Sequence, residues 1–165
     1  MLENLSADLD AIAQFSIEDH NELLCLEAFN KNNRNFSIYT NVGQRTPLYA
    51  TSAGKAILST YSNDEIQAKW DLMHVRPIMP NTITTFEAFM QEITLVRQQN
   101  YAVDREESEP GVFCVGTVLL DYNRRAVGSV SLSVSEMDPE RERALSSALL
   151  ERTQRMSYML GYTNP

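Results

Sequence analysis

Two neighbouring segments, Val112–Asp121 and Ala126–Val134, each alternate apolar with small or polar residues, and only Tyr122–Arg125 lies between them. Period-two alternation on either side of a turn-length gap predicts an antiparallel hairpin. A hairpin of this length commits the chain to a sheet with at least one face against a core. In its second strand Ser129, Ser131 and Ser133 share one face, and Val130, Leu132 and Val134 share the other. In the first, Val112, Cys114, Gly116 and Val118 lie together. The serine row is then either a solvent-facing strand side or the floor of a small, mildly polar cavity.

Helical spacing accounts for much of the remainder. Leu2, Leu5, Leu9 and Ile12 predict an opening amphipathic helix of about three turns. Glu22–Phe29 and Phe36–Thr40 read as strands joined by the asparagine-rich stretch Asn30–Asn35, a second hairpin. Gly43 and Pro47 mark an irregular link, followed by helix over Ala56–Tyr61. Ser62 to Glu65 has the form of a capping box, and Thr84 to Glu87 repeats it before a helix through Phe86, Phe89, Ile93 and Val96. Tyr101–Asp104 reads as a strand and REESEPG as an acidic loop. Asp138 before Pro139 is an N-cap, Leu145, Ala148, Leu149, Met156 and Leu160 form the face of a terminal helix, and Gly161 stops it. Trp70, Phe86 and Phe89 are core anchors. With 165 residues, 43% of them hydrophobic, the chain suits one domain over 1–165. The order of elements predicts an α+β fold, an antiparallel sheet with helices packed mainly on one side.

Composition excludes several functions. Twenty-two acidic against 14 basic side chains give a net charge of −8, which argues against a nucleic-acid-binding face. Arg124-Arg125 and Arg141/Arg143 are isolated and flanked by acids. Cys25 and Cys114 have neither disulfide-framework nor zinc-clip spacing, and His20 and His74 have no ligand partners beyond Glu18 and Asp19, so neither a metal site nor a cofactor is expected. The start MLENLSADLD lacks the features of a signal peptide and no apolar run is long enough for a membrane span, which predicts a cytoplasmic protein.

Ser52-Ala53-Gly54, within TPLYATSAGKA, brings a loop into a helix start, where backbone amides lack intrahelical acceptors and suit a small anion. A nucleotide phosphate loop is excluded, because Tyr49 and Ala56 stand where it needs Gly and Ser or Thr. Asp104-Arg105-Glu106-Glu107 is either a carboxylate cluster or a solvated acidic loop; Asp104 stands apart because it ends the apolar strand YAV. Cys114 has no histidine near in sequence to make it a nucleophile.

Taken in order, PLYATSAGKAIL, NTIT, YAVDREESEPGVFCVGTVLLD and GSVSLSVS resemble the effector-binding domain of the IclR family of bacterial transcription regulators, over nearly the whole chain. The resemblance implies a GAF-like fold that senses a small organic acid. It also implies homodimers or homotetramers, and operator DNA reached only through an N-terminal winged helix-turn-helix absent from this chain. Carried over, it assigns the effector to the amides of Ser52, Ala53 and Gly54, and to Asp104, Cys114, Ser131 and Ser133. An ionised Asp104 repels a carboxylate unless it accepts a hydrogen bond from the same ligand, so a hydroxy- or oxo-acid is expected. Asn100 replaces a glycine common before Tyr-Ala, and Val134-Ser135-Glu136 replaces a commoner Gly-Pro. Phe36, Ile38 and Val112 are the candidate apolar wall. Two alternatives stand: a GAF-like methionine sulfoxide reductase using Cys114 with Cys25 as resolving thiol, and an oligomerisation module without a ligand.

Overall fold

A computed structural model of the chain describes residues 2–30 and 42–163. Its described strands are β1 (Ile12–Asp19), β2 (Glu22–Phe29), β3 (Arg45–Pro47), β4 (Ala102–Arg105), β5 (Phe113–Leu120) and β6 (Ala126–Val134). They form one sheet in the order β3-β2-β1-β6-β5-β4, antiparallel at every step. The described helices are α1 (Leu2–Leu9), α2 (Ser52–Leu58), α3 (Asn63–Leu72), α4 (Phe86–Gln99) and α5 (Pro139–Met159), with a 3-10 turn at Leu48–Ala50. The α+β architecture with an antiparallel sheet is the one expected.

The valine-leucine side of β6 packs, with Ala13 and Val115, on Leu2 and Leu5 of α1 and on Leu145 and Leu149 of α5. Helices α2, α3 and α4 build a second cluster around Ile57, Ile66, Phe89 and Ile93 over the opposite face. The larger group of helices therefore lies on the serine side, and two more helices cover the other. Ser129, Ser131 and Ser133 are at most 3% exposed, which rules out the solvent-facing alternative. Trp70 stacks at 4.8 Å from Phe89, centroid to centroid, as a core anchor.

The opening helix is shorter than its periodicity predicts. Asp10 takes a left-handed φ of 45°, and Ile12 opens β1 instead of closing the helix. The partner of β2 is this unforeseen strand, joined through His20-Asn21 with φ of 54° and 62°, as a tight hairpin with right-handed strand twist requires. The expected strand Phe36–Thr40 lies outside the described residues, as do Phe36 and Ile38 of the proposed apolar wall. Ser62 makes the full capping box with Glu65. At α4 the cap is Thr85, which accepts from the Ala88 amide, rather than Thr84. Asn100 takes φ 63° at the end of α4, a left-handed position that asparagine adopts at modest cost, so its substitution for glycine preserves the turn. Asp138 caps α5 through the Arg141 amide at 2.7 Å. No described helix is long and apolar enough to cross a membrane.

Candidate functional site

Strand register brings the candidate residues into rows. Asp104 pairs with Cys114, Cys114 with Ser133 and Ser133 with Ile12, so three candidates from three strands stand side by side. The next row on the same face is Ala102, Gly116, Ser131 and Gln14. Gly116 is where α2 meets the sheet: a Cβ there would sit 2.7 Å from the Ser52 carbonyl carbon. Absence of a side chain at this one position lets the helix start rest on the strand, beside rather than above the serines.

Between them is a cavity of about 80 Å³ whose walls include Gln14, Ser52, Ala53, Asp104, Ser131 and Ser133. That is room for a few waters or one small organic molecule. Cys114 and Val112 also line it, together with Ser16, Cys25, Thr46 and Ser108. Most of the lining residues carry a hydroxyl, amide or carboxylate, and Leu23, Ala53, Val112 and the two cysteines supply its apolar surface.

Helix α2 begins at Ser52, with Thr51 as N-cap, and every one of its residues is buried. The Ser52 and Ala53 amides open the helix and lack intrahelical acceptors. The Gly54 amide is already engaged, donating to Thr51 Oγ1 at 3.2 Å. Ser52 Oγ is buried with no hydrogen-bond partner. On the sheet, Ser131 Oγ donates to Gln14 Oε1 at 3.3 Å, and Ser133 Oγ lies 3.1 Å from Cys114 Sγ.

Asp104 is 1% exposed and holds its own turn: Oδ1 accepts from the Glu107 amide at 2.7 Å and Oδ2 from Ser108 Oγ at 2.8 Å. Desolvation raises its carboxyl above the ordinary value, against the pull of those two donors and of Lys55. Desolvation also pushes the Cys114 thiol up, and the charge of Asp104 adds to it, so the sulfur stays protonated. Cys25, on β2, is three strand spacings from Cys114 on β5, about 14 Å of sheet. A disulfide needs Cα atoms closer than about 7 Å.

Glu107, read either within a carboxylate cluster or in a solvated loop, is buried, and so is Lys55. Lys55 Nζ lies 2.7 Å from Glu107 Oε1 and 3.0 Å from Glu92 Oε1. A single lysine in the otherwise small and apolar helix SAGKAIL carries that signal in sequence, since a buried cation requires counter-ions. Glu107 offers no comparable signal, because it stands in an irregular loop. The NTIT motif anchors that loop: Asn81 Nδ2 donates to the Arg105 carbonyl at 3.0 Å and Thr82 Oγ1 to the Glu107 carbonyl at 2.7 Å. Gln14 and Ser16 went unread because β1 did.

An antiparallel α+β sheet with a cavity between a helix start and a strand face is the architecture of a class of ligand-binding domain. Within that class the chain belongs to the IclR family: residues 1–158 match the family described as bacterial transcriptional regulator IclR C-terminal. It is 33% identical over 126 residues to the DNA-binding transcriptional repressor YiaJ of Escherichia coli, covering 74% of this chain and 45% of YiaJ. With the HTH-type transcriptional regulator KipR of Bacillus subtilis it shares 27% identity, over 99% of this chain and 66% of KipR. The crystal structure of the Thermotoga maritima IclR superposes with a TM-score of 0.92 at 28% identity, covering 98% of this chain and 66% of that one. The chain therefore spans between about half and two thirds of the length of these relatives.

Proposed function

We propose that this domain senses a small hydroxy- or oxo-carboxylate, held in the cavity between the start of α2 and the serine row of β6. The observation that carries the reading is Ser52, a residue of the cavity lining at the helix-opening amides whose Oγ is buried without a partner. A buried unsatisfied hydroxyl costs about 1–3 kcal/mol, which a bound acceptor recovers. In this reading the ligand carboxylate accepts from Ser52 Oγ and the amides of Ser52 and Ala53. Ser131 and Gln14 supply further polar contacts. Asp104 accepts from a ligand hydroxyl or hydrated carbonyl, since both of its oxygens retain lone-pair capacity beyond the bonds within its turn. An acid without such a donor meets a raised electrostatic cost there.

In this reading the complete regulator is an oligomer, as the family resemblance implies, it contacts operator DNA as the printed names of its relatives suggest, and occupancy of the cavity shifts how its subunits pack. A ligand-free oligomerisation module leaves Ser52 Oγ and the polar cavity without purpose. The reductase alternative is opposed by the protonated state of Cys114 and by its separation from Cys25.

Thermal-shift measurement against oxo-, hydroxy- and sugar acids, each beside a plain acid of matched size, tests the reading. At a hundredfold excess over Kd a matching acid is expected to raise Tm by about 5 °C or more. Ser131→Ala and Asp104→Ala are each expected to reduce the shift. Equal shifts from plain acids, with neither variant altering them, would discard the assignment. Sedimentation velocity of the complete regulator with and without the matching acid then reads the change in subunit packing.

A further inference from the structure

Three carboxylates act on the buried ammonium of Lys55, Glu107 and Glu92 by direct ion pairs and Asp104 through its charge, so the cluster carries more negative than positive charge if all four ionise. The charged groups facing Glu107 come from three elements: Lys55 from α2, Glu92 from α4 and Asp104 from β4. Lys55 occupies one Glu107 oxygen. The other, Oε2, is buried and has no hydrogen-bond partner. A carboxylate oxygen in that position is expensive when charged and cheaper when protonated.

The cluster is joined to the cavity through one short turn. Asp104 lines the cavity and its Oδ1 holds the Glu107 backbone amide, so the cavity wall and the second carboxylate are three residues apart on the same loop. Lys55 lies in α2, the helix whose first residues form the opposite wall. An anion placed in the cavity adds negative charge beside Asp104 and lowers the cost of protonating its neighbour.

We propose that Glu107 is a proton-linked sensor of the charge in the cavity, taking a proton from solvent when an anion settles beside Asp104 and returning it when the anion leaves. The inference rests on the reading of the cavity as an anion site. Its position fits: desolvation, with Asp104 and Glu92 adding to it, lifts the Glu107 carboxyl to about 7 against the pull of Lys55, where one added charge changes its occupancy most. Binding of a carboxylate is then coupled to proton uptake, and its affinity falls by up to about tenfold per pH unit above the Glu107 midpoint.

The decisive experiment needs no ligand. The Glu107 side-chain carboxyl is followed by carbon-13 NMR against pH in the domain, its resonance assigned by its loss in Glu107→Gln. It is expected to titrate near neutrality. Asp104→Asn, which removes one negative charge from the cavity wall, is expected to lower that midpoint by about one pH unit. Glu92→Gln, at a partly exposed side chain, removes the other like charge and is expected to lower it too. A Glu107 that titrates in the ordinary carboxylate range overturns the proposal, and so does a midpoint that neither variant moves. Because the cavity charge is changed here by substitution, failure of every acid in the thermal-shift panel would count against the cavity reading and not against the link between Asp104 and Glu107.

Discussion

Gly116 decides where α2 can rest, and through it where the helix-opening amides point. Any Cβ there meets the backbone of Ser52 and Ala53 below 3.0 Å, and backbone atoms cannot swing aside as a side-chain end can. Gly116→Ala is therefore expected to cost about 1–3 kcal/mol in urea unfolding, as overpacking does. It is also expected to diminish the carboxylate-induced thermal shift, because α2 must lift off the cavity to accommodate the methyl group. Ser131→Ala separates the two effects. It removes a hydroxyl whose partner is the Gln14 side chain at 3.3 Å, so its cost to folding is about 1 kcal/mol while the ligand response is reduced. A Gly116→Ala protein with unaltered stability and response would show that α2 is not seated on this strand.

At the scale of elements, the readable parts were those in which one face dictates the pattern. The β5–β6 hairpin, α4 and α5 announce themselves because one side of each is apolar and buried, and because Asp138-Pro139 and Gly161 punctuate the last helix. β1 escaped because two periods compete for its start. Ala13, Phe15 and Ile17 do alternate with Gln14, Ser16 and Glu18, but Ile12 falls in helical register with Leu5 and Leu9 and draws the segment toward the opening helix. The charged cluster was hidden for another reason: Glu107 sits in a run of acids that looks like solvated loop, and only tertiary contact with α2 buries it. The resulting loop has a measurable signature. Glu107 binds its proton more tightly in the folded domain than in the unfolded chain, whose ordinary value is 4.5. The stability it contributes is fully present below that value and is lost as pH rises to about 7. The difference in unfolding free energy between wild type and Glu107→Gln is expected to decline by up to about 3 kcal/mol across this window and to stay level above it. Urea titrations of both proteins at pH 5, 6, 7 and 8 measure it, and a difference that rises with pH would mean that ionised Glu107 is the favoured form, held by Lys55.

Across the whole molecule the balance of charge opposes direct contact with DNA. A duplex-binding face needs several cations free to neutralise phosphates, each displacing a condensed counter-ion. Here the net charge is −8, and the arginines best placed along α5 are engaged within the domain. Arg152 pairs with Asp8 of α1 at 3.1 Å, Arg155 with Glu151 at 2.7 Å, and Arg141 donates to the Leu9 carbonyl. Away from α5, Arg105 pairs with Glu142 at 2.6 Å and Arg97 donates to the carbonyls of Ser59 and Tyr61. Recruiting any of them to phosphate means giving up an existing contact, which for all but Arg155 joins separate parts of the fold, with acidic neighbours repelling the backbone at the same time. The domain alone is therefore expected to show no binding to duplex DNA in fluorescence anisotropy at about 10 µM protein and 0.1 M salt, where non-specific binders of ordinary basic character already associate. Adding a matching carboxylate is expected to leave that result unchanged, since cavity occupancy adds negative charge rather than exposing positive. Salt-sensitive binding by the domain itself would instead identify a cationic face on this sheet or its helices.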